Sequence, residues 1–305
     1  MKKLWPTLLV LAALIFPFAH AIAWNGTGHM TVAAIAYRGL PDDAKKKVDA
    51  LLQEHPDYAR WKQGLPGEDT SMDLGLYIFM RASTWPDDIR RSGNPYDHPQ
   101  WHFVDYPLKS PWYSVLPSPT PDDDILYGIQ QCEDILGDDS VPATTRAAYL
   151  SWLIHLLGDI HQPLHCATLV NGTYPPPQGD KGGNNFYVRP AQKAVKLHSF
   201  WDGLLGTEKD PRLVLNAAIA IQSEHDRESL GELKQATNPK AWSLESRKIA
   251  LETTYQRGHL EGSDHAADAP SLPEGYAKTA KSVAQRRVAL AGYRLTDEIQ
   301  TLLQQ

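Results

Sequence analysis

The chain has 305 residues, 42% hydrophobic and 22% charged, with a formal net charge of −6 at pH 7. That length suits one large domain with a sizeable core. The acidic balance excludes a broad basic face for clamping duplex DNA, although bound metal ions can supply positive charge to phosphates locally. With only Cys132 and Cys166 present, a disulfide scaffold is excluded too, which leaves one bridge or two buried thiols.

Lys2 and Lys3, the apolar run at 8–16 and the triplet Ala21-Ile22-Ala23 read as a signal peptide over residues 1–23, cleaved before Trp24. Its removal takes two lysines and no acids, so the formal charge moves from −6 to about −8. No later run is long and apolar enough to span a bilayer, so a secreted or periplasmic protein without a membrane anchor is expected. Residues 31–37 are apolar-rich, and Pro41-Asp42-Asp43 opens a helix through Leu52 with proline and acids in its first turn. Residues 74–80 continue toward Trp85-Pro86-Asp87-Asp88-Ile89-Arg90, and 92–121, rich in Pro, Tyr and Trp, reads as an ordered loop. Helices follow over 122–137, 143–160, 211–223, 239–258 and 273–303. A long surface loop occupies 171–185, and 185–189 with 193–197 offers at most a small hairpin. The reading is a mainly α, single-domain multi-helix bundle over 24–305.

The stretch His155-Leu-Leu-Gly-Asp-Ile-His-Gln-Pro-Leu-His165 carries the strongest chemical signal. On a helix, His155 and Asp159 share a face; Pro163 ends the helix and delivers His165 from the turn beyond. Alone, this pattern is equally an i,i+4 ion pair beside a loop histidine. A second His–Asp pair at the same spacing, His198 and Asp202, changes the balance, as do Asp87, His102 and His29. An all-imidazole-and-carboxylate set suits catalytic zinc with open positions, not a thiolate-bound structural zinc.

The ordered motifs Trp24…His29, Trp85-Pro86-Asp87…Arg90, His102-Phe103-Val104-Asp105, His155…Gly158-Asp159…Gln162-Pro163-Leu164-His165, Gly182-Gly183-Asn184 and Leu197-His198…Trp201-Asp202 closely resemble the S1/P1, or type I, zinc-dependent single-strand nucleases. The resemblance extends to Gly292-Tyr293-Arg294-Leu295 and so covers essentially the whole mature chain. It implies a phospholipase C/nuclease-like fold and a cluster of three Zn2+ ions. Asp87, His102, His155 and Asp159 would hold the first, and His165, His198 and Asp202 the second. The third would take the free α-amino and carbonyl groups of Trp24 with His29, Asp159 bridging to the first. The resemblance further implies a monomeric endonuclease and 3′-nucleotidase acting on single-stranded DNA, RNA and 3′-nucleotides. A metal-bridging hydroxide near Asp87 would be the nucleophile and the products 5′-phosphorylated. Arg90 is the candidate for stabilising the transition-state phosphate, its alternative being a surface ion pair with Asp87 or Asp88. Phe103 matches a base-stacking aromatic, and Asp105 and Asn184 match groups that bind the base edge.

The chain departs from the family pattern at Cys166 and at Lys181, where fungal members carry an apolar residue, and it has a Pro-rich insertion at 174–177. His161 matches no ligand position and reads as a structural hydrogen-bonding residue. A zinc-dependent phospholipase C of the same fold is the main alternative; Asp202 and the Phe103/Asp105 pair favour the nuclease. A secreted zinc-storage or phosphate-binding protein is a third reading, disfavoured by the intact ligand set with Arg90. The sequons at Asn25 and Asn171 are expected to be unmodified.

Overall fold

The structure is a computed structural model that describes residues 24–65, 72–109 and 123–303. The signal-peptide reading of 1–23 and much of the loop expected at 92–121 lie outside the described residues. Helix α1 (Gly26–Gly39) starts where the Asn25 side chain accepts the Gly28 N–H at 3.2 Å, a standard N-cap. Helix α2 (Asp42–Gln53) begins after Pro41 with Asp42 and Asp43 in its first turn, against the positive end of its dipole. A short α3 (Tyr58–Gln63) precedes α4 (Leu74–Ala82), which Asp73 caps through Leu76 N–H at 2.8 Å. The expected continuation to Arg90 is instead a separate turn, α5 (Trp85–Asp88).

Strand β1 (Pro107–Lys109) leads to α6 (Ile125–Leu136), capped by Asp124, and α7 (Ala143–Asp159) follows. A 3-10 turn over Pro163–Cys166 runs into β2 (Thr168–Val170). Then come β3 (Tyr187–Val188), β4 (Val195–Lys196), α8 (Leu197–Asp202), α9 (Pro211–Glu224), α10 (Glu232–Gln235), α11 (Pro239–Ile249) and α12 (Tyr276–Leu303). β3 and β4 form the expected antiparallel hairpin. The parallel pair β1–β2, with Pro107 opposite Thr168, was not expected from sequence. The helix expected over 239–258 also stops early: a π-helical turn fills Ala250–Thr254, and Gln256 and Arg257 take left-handed φ values of 48° and 53°.

Helix α7 explains the organisation. From Leu150 to Asp159 every side chain is buried, so this helix sits inside the protein rather than along its surface. Helix α1 packs against α12, α9 and α4, and α6 lies on α7. Gly292 of α12 faces Ile35 of α1 so closely that any β-carbon there would collide with it. A second buried cluster, including Leu164, Leu169, Phe186, Leu197, Trp201 and Tyr255, surrounds the two small sheets. The polar end of α7, Asp159, is fully buried. Cys132 and Cys166 are both buried free thiols, so the alternative of a bridge is not realised.

Candidate metal centre

Six segments of the chain converge at the end of α7. His155 and Asp159 come from α7 itself, His165 from the 3-10 turn that Pro163 starts, and His198 and Asp202 from the two ends of α8. Asp87 lies on α5, His102 on the segment before β1, and His29 in the first turns of α1. The structure thus brings together all eight side chains singled out as ligands. Their donor atoms fall into three groups, each within 4.8 Å and the first two sharing His155: His29, Asp87 and His155; His102, His155 and Asp159; His165, His198 and Asp202.

Asp159 is the hub. Its Oδ2 lies 3.0 Å from His102 Nδ1 and 3.1 Å from His155 Nε2, while its Oδ1 lies 3.3 Å from His29 Nε2. Asp87 Oδ1 is 3.9 Å from His155 Nε2 and 3.5 Å from Arg90 Nη1. His198 Nε2 stands 3.5 Å from Asp202 Oδ2. The rings of His29 and His155 stack at 3.8 Å, which the missing side chain of Gly158 permits: a β-carbon there would lie 2.8 Å from His29 Nδ1.

The outward nitrogens are fixed by backbone carbonyls. The Nδ1–H of His155 points to Ser83 O at 2.8 Å, that of His165 to His102 O at 2.6 Å, and that of His198 to Gly182 O at 2.6 Å. Each bond selects the tautomer whose Nε2 carries a lone pair toward the centre. Gln162 does the same for a carboxylate, donating its Nε2–H to Asp202 Oδ1 at 2.8 Å. Around the centre, His29 Nδ1 and Nε2, His102 Nε2, His165 Nε2, His198 Nε2, Asp87 Oδ1 and Asp159 Oδ1 are buried without a hydrogen-bond partner. Buried polar atoms are rarely left so. Seven such atoms in one place, on imidazoles and carboxylates and with His29 offering one of its two nitrogens as a lone-pair donor, fit a group of cations.

The groups do not all titrate alike: burial lowers four of the imidazoles, whereas for His155 burial is outweighed by the charges of Asp159 and Asp87, which raise it. Burial, then the charge of His155, lowers His29 to about 4; burial, then His165, lowers His198 to about 3. Burial also lowers His102 and His165, so these rings are held in the neutral, ligating form. Burial pushes Asp87 up to about 6 and Asp202 well above the carboxylate range. For Asp159, burial acts upward, but the charges of His155 and His165 and bonds from His102 and His155 hold it well below.

Trp24 is fully buried beside this centre, its indole N–H donating to Gly158 O at 3.0 Å. Phe103 is half-buried and follows His102 directly. Asp105 is exposed; the surrounding protein and the charge of Asp180 push its carboxyl up to about 7, while Lys181 pulls it down. Asn184 is half-buried, donates Nδ2–H to Lys181 O at 2.9 Å and keeps a buried, unpartnered Oδ1. Sequence reasoning missed Asp180, which is fully buried and anchors the turn carrying Lys181 and Asn184. It accepts from Leu169 N–H at 2.8 Å and from the Tyr255 hydroxyl at 2.6 Å. Its place just before Lys181-Gly182-Gly183 was the available signal.

A mainly α chain closed around a buried centre of imidazoles and carboxylates is the class of protein defined here. The family model described as S1/P1 Nuclease matches residues 24–304. Endonuclease 4 of Arabidopsis thaliana is 24% identical over 97% of this chain and 93% of its own length. Nuclease P1 of Penicillium citrinum is 25% identical over 59% of the chain and 57% of its own, and Nuclease S1 of Aspergillus oryzae 24% over 65% and 60%. The chain belongs to the S1/P1 nuclease family, with the mainly α fold of that family and hydrolysis of phosphodiester bonds as its chemistry. Among the described residues, no helix is long and apolar enough to cross a membrane.

Proposed function

We propose that the protein is an exported, zinc-dependent nuclease of single-stranded DNA and RNA that also removes the 3′-phosphate of nucleotides. The observation that carries this reading is the set of buried, unpartnered nitrogen and oxygen donors around Asp159. Three ions would be held by Asp87, His102, His155 and Asp159; by His165, His198 and Asp202; and by Trp24 and His29 with Asp159. Zinc bound there supplies Lewis acidity, activating water near neutral pH and neutralising charge on the phosphate oxygens.

The chain's own groups do the rest. Arg90, half-buried and 3.5 Å from Asp87 Oδ1, presents a planar guanidinium to the phosphate, and its anchorage limits the freedom lost on binding. Phe103 stacks an unpaired base, a contact of about 1–3 kcal/mol that a base inside a duplex cannot make. Asp105 and Asn184 bind the base edge. The carbonyls of Ser83, His102 and Gly182 hold the imidazoles in register, so little reorganisation accompanies the reaction. Cleavage before Trp24 has a chemical part in this scheme: a peptide nitrogen there is an amide, whereas a free α-amine can ligate a cation.

Purified, processed, zinc-loaded protein is expected to release acid-soluble nucleotides from denatured DNA and RNA, to stop on chelation, and to leave phosphatidylcholine intact. Release that persists after zinc is stripped would sink the metal reading. Hydrolysis of phosphatidylcholine with both nucleic acids untouched would assign the site to a phospholipase.

A further inference from the structure

We propose that Lys181 and Asp105 together read the base edge and give this chain a preference for guanine. The proposal rests on the nuclease reading and adds the identity of the base. Residues 104–109 run along 165–170: Val104 N–H donates to His165 O at 2.8 Å, Thr168 N–H donates to Tyr106 O at 3.0 Å, and β1–β2 continues the pairing. On the other edge of the same segment, Asp180 N–H donates to Leu169 O at 2.9 Å, and Gly182 lies against Leu164 O and Ala167 O. Asp105 and Lys181 therefore stand on the two stretches that flank one segment, both exposed, and their charges act on each other.

Lys181 is carried on a fixed turn. It holds a left-handed φ of 55°, and its carbonyl accepts both the backbone N–H and the side-chain amide of Asn184, at 3.2 and 2.9 Å. Next to it, Gly182 O holds the ring of His198, and buried Asp180 ties the turn to Leu169 and Tyr255.

Guanine is the base whose Watson–Crick edge offers two adjacent donors, N1–H and the 2-amino group, with the O6 acceptor beside them. An ionised carboxylate accepts both donors and an ammonium donates to O6. Adenine and cytosine turn a lone pair toward the carboxylate where guanine has N1–H, and uracil offers a single donor between two acceptors. Stacking on Phe103 is indifferent to these differences. Enclosure by the surrounding protein, then the charge of Asp180, pushes the Asp105 carboxyl up to about 7 against the pull of Lys181, these two being the charged groups that face it. Once protonated it has lost an acceptor, so the preference is strongest above that pH.

The test is kcat/KM on the four ribonucleoside 3′-monophosphates at pH 8 and pH 5.5, together with calorimetric Kd values for guanosine and adenosine. Guanine is expected to be favoured by at least about fivefold at pH 8. Lys181→Met should cut the guanine-to-adenine ratio by about tenfold and Lys181→Arg should keep it, with unchanged melting temperatures. Equal rates and equal binding in the unsubstituted protein overturn the proposal. So does a loss in Lys181→Met that is uniform over the four bases, which marks a phosphate contact. A protein that hydrolyses none of the four loses the 3′-nucleotidase reading, while the guanosine-to-adenosine binding ratio and its response to Lys181→Met still decide the base.

Discussion

Two buried polar clusters meet at the end of α7, two residues apart in sequence, and they are built in opposite ways. At His161 the ring Nδ1–H donates to Leu157 O at 2.7 Å and Nε2 accepts from Arg294 Nη1 at 2.8 Å. Arg294 and Arg287 in turn share Glu245, at 2.7 and 3.0 Å, and Arg287 also donates to Ser246 Oγ and to His161 O. Burial, then the charges of Arg287 and Arg294, keeps that imidazole neutral. At Asp159 three neighbouring imidazoles are fixed by carbonyls on their outer nitrogens, and apart from the contacts His102 makes with Asp159 and His155 the inner atoms have no partners. Histidine content does not separate a ligand site from a structural network; the destination of each lone pair does. A network saturated by its own chain holds elements together, whereas one saturated on a single side is made to be completed by something else.

The largest effect should come from the hub. Asp159→Asn removes the charge that three imidazoles face and is expected to lower nuclease activity by on the order of 10³-fold or more, with zinc content by atomic emission falling and far-UV circular dichroism retained. Full zinc loading in that variant would erase the distinction between the clusters. Retention of even one residue ahead of Trp24 is expected to remove most activity while leaving the fold, since the nitrogen there stays an amide; unchanged turnover would show that the α-amine is not a ligand. A weaker lesion is Gln162→Ala, which frees Asp202 Oδ1 and should cost about 10–100-fold in zinc affinity, measured by competition with a chelating dye. The smallest effect on zinc belongs to the other cluster. Glu245→Ala should leave zinc affinity unaltered but lower unfolding stability by about 3 kcal/mol in urea, because two buried guanidiniums lose their shared carboxylate. A change in zinc affinity there would couple the two clusters.

Much of this was legible beforehand, for identifiable reasons. The long helices announce themselves by apolar spacing and caps such as Pro41-Asp42-Asp43, and the ligand set by two His–Asp pairs at helical spacing. The β1–β2 pairing was not legible, because three residues such as Pro107-Leu108-Lys109 are too few to show an alternation. The early end of α11 was missed because Gln256 and Arg257 adopt left-handed backbone without the glycine that usually signals it. Asp180 escaped notice because its meaning depends on Tyr255, seventy-five residues away in the chain. His161 was separable from its neighbours by motif position, and its partners Arg287 and Arg294 emerge only when α12 crosses α7.

The carbonyl sockets that hold His155, His165 and His198 belong to packed segments, not to side chains recruited by the site. The rings are therefore oriented by the fold's own backbone, unlike those of a zinc finger, which folds only as its metal binds. Cations bound at a centre built in this way would act as thermal ballast: free zinc at about a thousand times its Kd adds about 4 kcal/mol to the folded state. Scarcity of zinc would then lower the melting temperature along with the activity.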